Sequence, residues 1–189
     1  MDHLQRSRLN LLTSHMLDRG ALLRLDSTVI AELARSERAR FIGIHHLRIA
    51  VDEAHPQRPA WLPRQDVKDR FGQCDPYVYL GEEDNLSYFA LLLDHDLPKI
   101  TEGFASLRTL AREVSSAQAT LLSYAQAMAT WHHRYRFCNR CGSATHIGQA
   151  GHVRLCTQVR CGETHYPRTD PAIIVLVQRE DRALFGRKP

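Results

Sequence analysis

Four cysteines in the last third of the chain constrain it most. They read Cys138-x2-Cys141, then fourteen residues, then Cys156-x4-Cys161. Zinc favours four soft or borderline ligands at the corners of a tetrahedron, and two close pairs, each on a turn, meet that geometry with little chain entropy left to lose. Gly142 and Gly162 each follow the second cysteine of a pair, where glycine lets the backbone turn back tightly beneath a metal. Four thiolates leave no open coordination position, so the expected zinc is structural rather than catalytic. Its binding energy is largely folding energy for a segment too small to own a core. Two disulfides are the competing reading. A third replaces one cysteine by a histidine, since His132, His133, His146, His152 and His165 all lie close in sequence. The chain has five cysteines, an odd number with four clustered, which favours metal binding in a reducing compartment. Cys74 stands alone in a Pro/Gly/Asp loop and is expected as a free thiol.

The rest of the chain has ordinary globular composition, 43% hydrophobic and 24% charged over 189 residues, enough length for a sizeable core. A formal net charge of +4 with 11 neutral histidines permits an anionic partner without requiring one. No apolar run approaches the roughly 20 residues that span a bilayer, and the N-terminus MDHLQRSRLN has no charged-then-apolar leader pattern. The expectation is a cytoplasmic protein with no membrane partner.

Periodicity gives the elements. Residues 1–20 read as a flexible tail. Asp26 caps a short helix to Ala34, with Val29, Ile30 and Leu33 on one face. Phe41 to Val51 is β-rich. Asp52 to Pro76 reads as loop with a short strand at Trp61-Leu62. Tyr77–Leu80 and Ser87–Leu93 flank GEEDN as a hairpin. A short helix is expected over Ser106–Val114. A longer one, capped by Ser115 or Ser116, carries Leu121, Leu122, Ala125, Met128, Ala129 and His132 at helical spacing to about His133. Beyond the cysteines, residues 172–178 form an apolar strand, and a turn at Arg179–Asp181 leads to a second strand at Ala183–Phe185. The fold class is α+β.

The stretch RFCNRCG, the second cysteine pair and HYPRTDPAIIVLV resemble the zinc ribbon and first Nudix strand of the NADH pyrophosphatase family of Nudix hydrolases. LDRGALLRLD (17–26) and residues 107–138 resemble the same family's N-terminal domain more loosely. The resemblance implies an N-terminal mixed α/β domain over 21–133, a zinc ribbon over 134–168, and the start of a Nudix catalytic domain over 169–189. It implies cleavage of NADH or NAD at the diphosphate to nicotinamide mononucleotide and AMP, in some members removal of NAD caps from RNA, and a homodimer. It also implies Mg²⁺ or Mn²⁺ for the chemistry. The box that holds those ions, G-x5-E-x7-R-E-U-x-E-E-x-G-U with U aliphatic, does not occur here. The nearest decoy, Arg112-Glu113-Val114, has Ser116 and Ala117 at the following glutamate positions and Pro98 at the leading glycine. The chain ends at Gly186-Arg187-Lys188-Pro189, inside what the family makes its second Nudix strand, so this chain alone is expected to be inactive. The four residues between Cys156 and Cys161, against the family's usual two, are expected to widen that knuckle.

The resemblance also implies two substrate contacts. Tyr166, before Pro167, matches an aromatic that stacks on nicotinamide across the dimer, a planar ring suiting a planar ring; packing on the ribbon is the alternative. Arg108 lies near a substrate-contacting arginine of the family, and a guanidinium suits a diphosphate; a solvated helix arginine is the alternative. His132, His133, Arg134, Arg136 and Arg140, interleaved with Trp131, Tyr135 and Phe137, form a basic run suited to RNA or to a solvated helix end. A rival function class keeps the ribbon and drops the enzyme: a zinc-ribbon module binding nucleic acid or a protein partner, or a dimerisation unit.

Overall fold

The computed structural model describes residues 17–93, 102–168 and 175–186, together with residues 5 and 12. Most of the expected tail over 1–20 lies outside them, but its end is held: Asp18 bridges Glu82 through backbone bonds of 3.0 and 2.7 Å. Of the strand expected over 172–178, residues 172–174 lie outside the described residues, Val175, Leu176 and Val177 are exposed and not in a strand, and pairing begins only at Gln178. Helix α1 is Ser27–Arg35, strand β1 Ala39–His45, β2 Arg48–Ala50, α2 Arg64–Phe71, β3 Tyr77–Glu83, β4 Leu86–Leu92 and β5 Phe104–Ser106. There follow α3 Leu107–Leu110, α4 Ser116–Arg134, β6 Thr145–Gly148, β7 Val153–Cys156, β8 Thr164–His165, β9 Gln178–Arg179 and β10 Arg182–Ala183. This is the expected α+β class.

Strands β3-β4-β1-β2-β5 form one mixed sheet. β1 and β4 run parallel, with Phe41 opposite Phe89, and the other pairings are antiparallel. Both faces are covered, which is why β1 and β4 are apolar almost throughout instead of alternating. One face sets Ile42, Ile44, Ile49, Val78 and Leu80 against Leu121, Leu122, Ala125 and Met128 of α4. The other sets Phe41, Tyr79, Phe89 and Leu91 against Ile30 and Ala34 of α1 and Val67 of α2. Each such buried large apolar side chain contributes about 1.5–3 kcal/mol. Asp26 caps α1 through Thr28 and Val29 N–H, and Ser115, not Ser116, caps α4 through Gln118 N–H.

Several elements differ from the expectation. The β-rich stretch 41–51 is a tight hairpin, because His46 takes a positive φ of 52° and reverses the chain between β1 and β2. The GEEDN hairpin is tighter than expected. Gly81, Glu82 and Glu83 stay in β3, and only Asp84 and Asn85, with φ of 49° and 63°, make the turn, as a two-residue hairpin requires. Trp61-Leu62 is no strand; Leu62 makes a single bridge to Phe41. The stretch 64–71, expected as loop, is helical, with Pro63 at its N-cap and Gly72 left-handed at its C-cap. The helix expected over 106–114 shrinks to one turn, because Phe104–Ser106 pairs with β2 before Ser106 caps Thr109 N–H. The second late strand begins earlier than expected, at Arg182.

A second sheet, β6-β7-β8, carries the cysteines. The loop from β6 to β7 lies on β3. Gly151, at φ 93°, comes so close that a Cβ there would stand 2.8 Å from Val78 Cα.

Candidate metal centre and its surroundings

The cysteines come from two turns and the end of a strand. Gly142 N–H donates to Cys138 O at 2.9 Å, closing the first knuckle, and Cys138 N–H donates to Ser143 O at 2.7 Å. The second turn closes in the same way, Gly162 N–H to Gln158 O at 3.1 Å. Gln158 therefore stands where Cys138 stands in the first knuckle, and Cys156 reaches in from the last residue of β7. The two additional residues are absorbed ahead of the turn, so the turn itself is not widened. Gly142 and Gly162 both have positive φ, 76° and 59°.

These turns gather the four sulfurs. All lie within 4.8 Å of one another, with Cys138 and Cys161 3.8 Å apart and Cys141 and Cys156 3.4 Å apart. Zinc–sulfur bonds of about 2.3 Å in a regular tetrahedron put neighbouring sulfurs about 3.8 Å apart. The donor set and spacing fit a metal ion, and none of the cysteines is in a disulfide. Hydrogen bonds from Ser143 pull the Cys141 thiol down to about 6, while burial pushes the Cys156 thiol up to about 12. His165 Nε2 lies 3.3 Å from Cys138 Sγ, the position of a donor that orients a ligand from outside the coordination shell. Arg140 of the first knuckle donates to Glu163 beyond the second at 3.1 Å, an exposed pair of small energetic weight.

The other histidines have different work. His132 Nε2 lies 2.8 Å from Gly151 O and its Nδ1 3.2 Å from Arg154 Nη1. His152 repeats the pattern: Nε2 is 2.7 Å from Tyr79 O, and Nδ1 is 3.2 Å from Arg24 Nη1. A carbonyl on one side and a guanidinium on the other admit one assignment, a neutral ring with the proton on Nε2. Burial, the main cause in each case, lowers both rings from 6.5 to about 4. These two rings join the ribbon to the sheet domain. Their sequence signal was a histidine on the apolar face of α4 and another beside a glycine at the head of β7. His133 and His146 line a cleft that His132 and Arg154 also line. With Trp131 and His132 buried, the basic run of the sequence does not form one exposed strip.

Tyr166 is 61% exposed and lines a cleft of about 510 Å³ with Tyr135, Arg140, Glu163, His165 and Arg168. Arg108 is exposed on α3 and does not line that cleft. Cys74 is a free, partly buried thiol, 3.7 Å from Arg64 O. No helix among the described residues is long and apolar enough to cross a membrane.

Residues 38–131 match a family model described as an NADH pyrophosphatase-like rudimentary NUDIX domain. The chain is 33% identical over 149 residues to Nudix hydrolase 19, chloroplastic, of Arabidopsis thaliana, a match covering 68% of this chain and 34% of that protein. It is 35% identical over 116 residues to the NAD-capped RNA hydrolase NudC of Stutzerimonas stutzeri, covering 58% and 41%. Against the NAD-capped RNA hydrolase NUDT12 of Homo sapiens it is 31% identical over 142 residues, covering 65% and 30%. The chain thus spans between 30% and 41% of the length of these three relatives.

Proposed function

Residues 38–131 belong to the NADH pyrophosphatase-like NUDIX family, and we propose that this chain is the substrate-positioning and zinc-ribbon portion of a hydrolase that cleaves the diphosphate of NADH, NAD or NAD-capped RNA. The family match carries this reading. Residues 21–133 form the rudimentary domain, 134–168 the ribbon, and 169–189 the entry to a catalytic domain. Zinc, held by Cys138, Cys141, Cys156 and Cys161, fixes the ribbon and takes no part in the chemistry. Among the described residues the catalytic Mg²⁺ or Mn²⁺ finds no fitting site. Among the described residues the metal-capable cluster is the four cysteines, and hard divalent ions of that kind need carboxylate and water oxygens. The lack of a Nudix box in the sequence supports reading the chain alone as inactive. In a cytoplasmic homodimer Tyr166 stacks on the nicotinamide ring of the substrate held by the partner, and Arg108 assists at the diphosphate. An exposed ring beside Arg140 and Arg168 suits a dinucleotide, which offers a flat base and negative phosphates together.

The test uses a longer protein in which this chain is followed by a Nudix box. Losing one base–aromatic stack costs roughly 1–3 kcal/mol, about ten- to a hundredfold in affinity. Tyr166→Ala should raise KM for NADH by about that factor, with zinc content unchanged, and Tyr166→Phe should be nearly silent. An unchanged KM in Tyr166→Ala would remove the stacking role.

A further inference from the structure

A cleft of about 360 Å³ opens where the ribbon meets the sheet domain. Its apolar lining comes from Ile44, Leu92 and Leu93 at the ends of β1 and β4 and from Ile147 of β6. Arg136 and Arg154, with His132, His133 and His146, complete the lining, and Arg154 stands directly across the strand pair from Ile147. Its volume lies in the range of small-molecule sites, and it is distinct from the cleft around Tyr166.

Arg154 is the informative residue. It is only 8% exposed, and a charge that buried ordinarily has an opposite charge against it. Its partners are neutral: Nε donates to Thr145 Oγ1 at 2.6 Å, Nη2 to Thr145 O at 2.8 Å, and Nη1 to His132 Nδ1 at 3.2 Å. No carboxylate among the described residues pairs with Arg154 or with Arg136. The cysteine sulfurs are not among Arg154's hydrogen-bond partners either. The three bonds use three of the five guanidinium N–H groups and fix the fork rigidly, which leaves two N–H for a ligand. His132, neutral with its Nε2 proton on Gly151 O, supplies no compensating charge; it holds the fork. Arg136, exposed on the same cleft, adds a second guanidinium that is free to close over an anion. Two guanidiniums, one pre-oriented, form the arrangement that recognises a phosphate in bidentate fashion.

We infer that this junction cleft is a binding site for a small phosphomonoester, with the phosphate on Arg154 and Arg136 and any flat organic part against Ile44, Leu92 and Ile147. Such a ligand touches both the sheet domain and the ribbon, so occupancy stiffens their junction and raises the melting temperature by mass action.

The experiment uses the zinc-loaded chain. Inorganic phosphate, AMP and adenosine are titrated separately by calorimetry, at ionic strength held constant with sodium chloride. Phosphate and AMP should each bind saturably at one site per chain, and adenosine should bind at least about tenfold more weakly than AMP. AMP tighter than phosphate assigns the apolar lining to the nucleoside; equal affinities assign the site to the phosphate alone. Arg136→Gln changes an exposed side chain that makes no hydrogen bond or ion pair among the described residues and should weaken both by roughly tenfold or more, the value of one charge-assisted contact. Arg154→Lys keeps charge but loses the fork and should do the same if it folds; if it does not, Arg136→Gln alone decides. Absence of saturable phosphate and AMP binding, or binding unchanged in Arg136→Gln, would overturn the assignment. Neither outcome depends on hydrolysis of NADH, so the site stands or falls apart from the enzymatic reading.

Discussion

A thiol must lose its proton before it binds zinc, and the four cysteines do not lose theirs equally. Ser143 pulls the Cys141 thiol down to about 6, so at neutral pH that thiolate stands ready, while burial holds the Cys156 proton until a metal displaces it. Loading should therefore release protons, and affinity should fall as pH falls. One zinc per chain is expected in native mass spectrometry. Cys138→Ser should lose it and melt the ribbon, whereas Cys74→Ser, at a thiol remote from the cluster, should leave metal content unchanged. A zinc-free native protein, or a disulfide within either pair, contradicts this. The cysteine pattern was legible at this scale because metal geometry demands a residue type at a spacing. The parts of His132 and His152 were not. A histidine on an apolar helical face looks the same in sequence whether it binds metal or joins two elements, and only the facing carbonyls of Gly151 and Tyr79 decide.

At the scale of elements, the contact between ribbon and sheet rests on neutral histidines and a glycine. Both rings have folded values near 4 against 6.5. Below pH 6.5 the unfolded chain therefore binds protons that the folded chain refuses. Stability from these groups is intact above 6.5 and is lost as pH falls toward 4, at no more than about 1.4 kcal/mol per pH unit for each. Glutamine keeps one donor and one acceptor and does not titrate. A His132→Gln/His152→Gln double variant should show a flatter fall in denaturant midpoint over that window; a slope equal to wild type would show that other groups set it. Gly151→Ala should cost about 1–3 kcal/mol, read as a lower midpoint, because a Cβ at φ 93° meets Val78. Among the elements, α1, α4 and the β3–β4 hairpin were legible from periodicity and caps. Helix α2 was missed because RQDVKDRF offers only Val67 and Phe71 as apolar positions; the signal that could have found it was Pro63 before and Gly72 after. The hairpin at His46 was missed because no glycine or proline marks it.

At the scale of the whole molecule, residues 38–131 match the family model, while the sequence contains no Nudix box and the described residues no carboxylate cluster. On the proposed reading the chain contributes affinity without turnover. The most direct measurement incubates the pure, zinc-loaded chain with NADH and with NAD, in turn with Mg²⁺ and Mn²⁺, and quantifies AMP by chromatography. The account predicts no AMP above the rate without protein at any concentration of either ion. Sustained AMP release that scales with protein through a final purification step would contradict it and require an active site made of other residues.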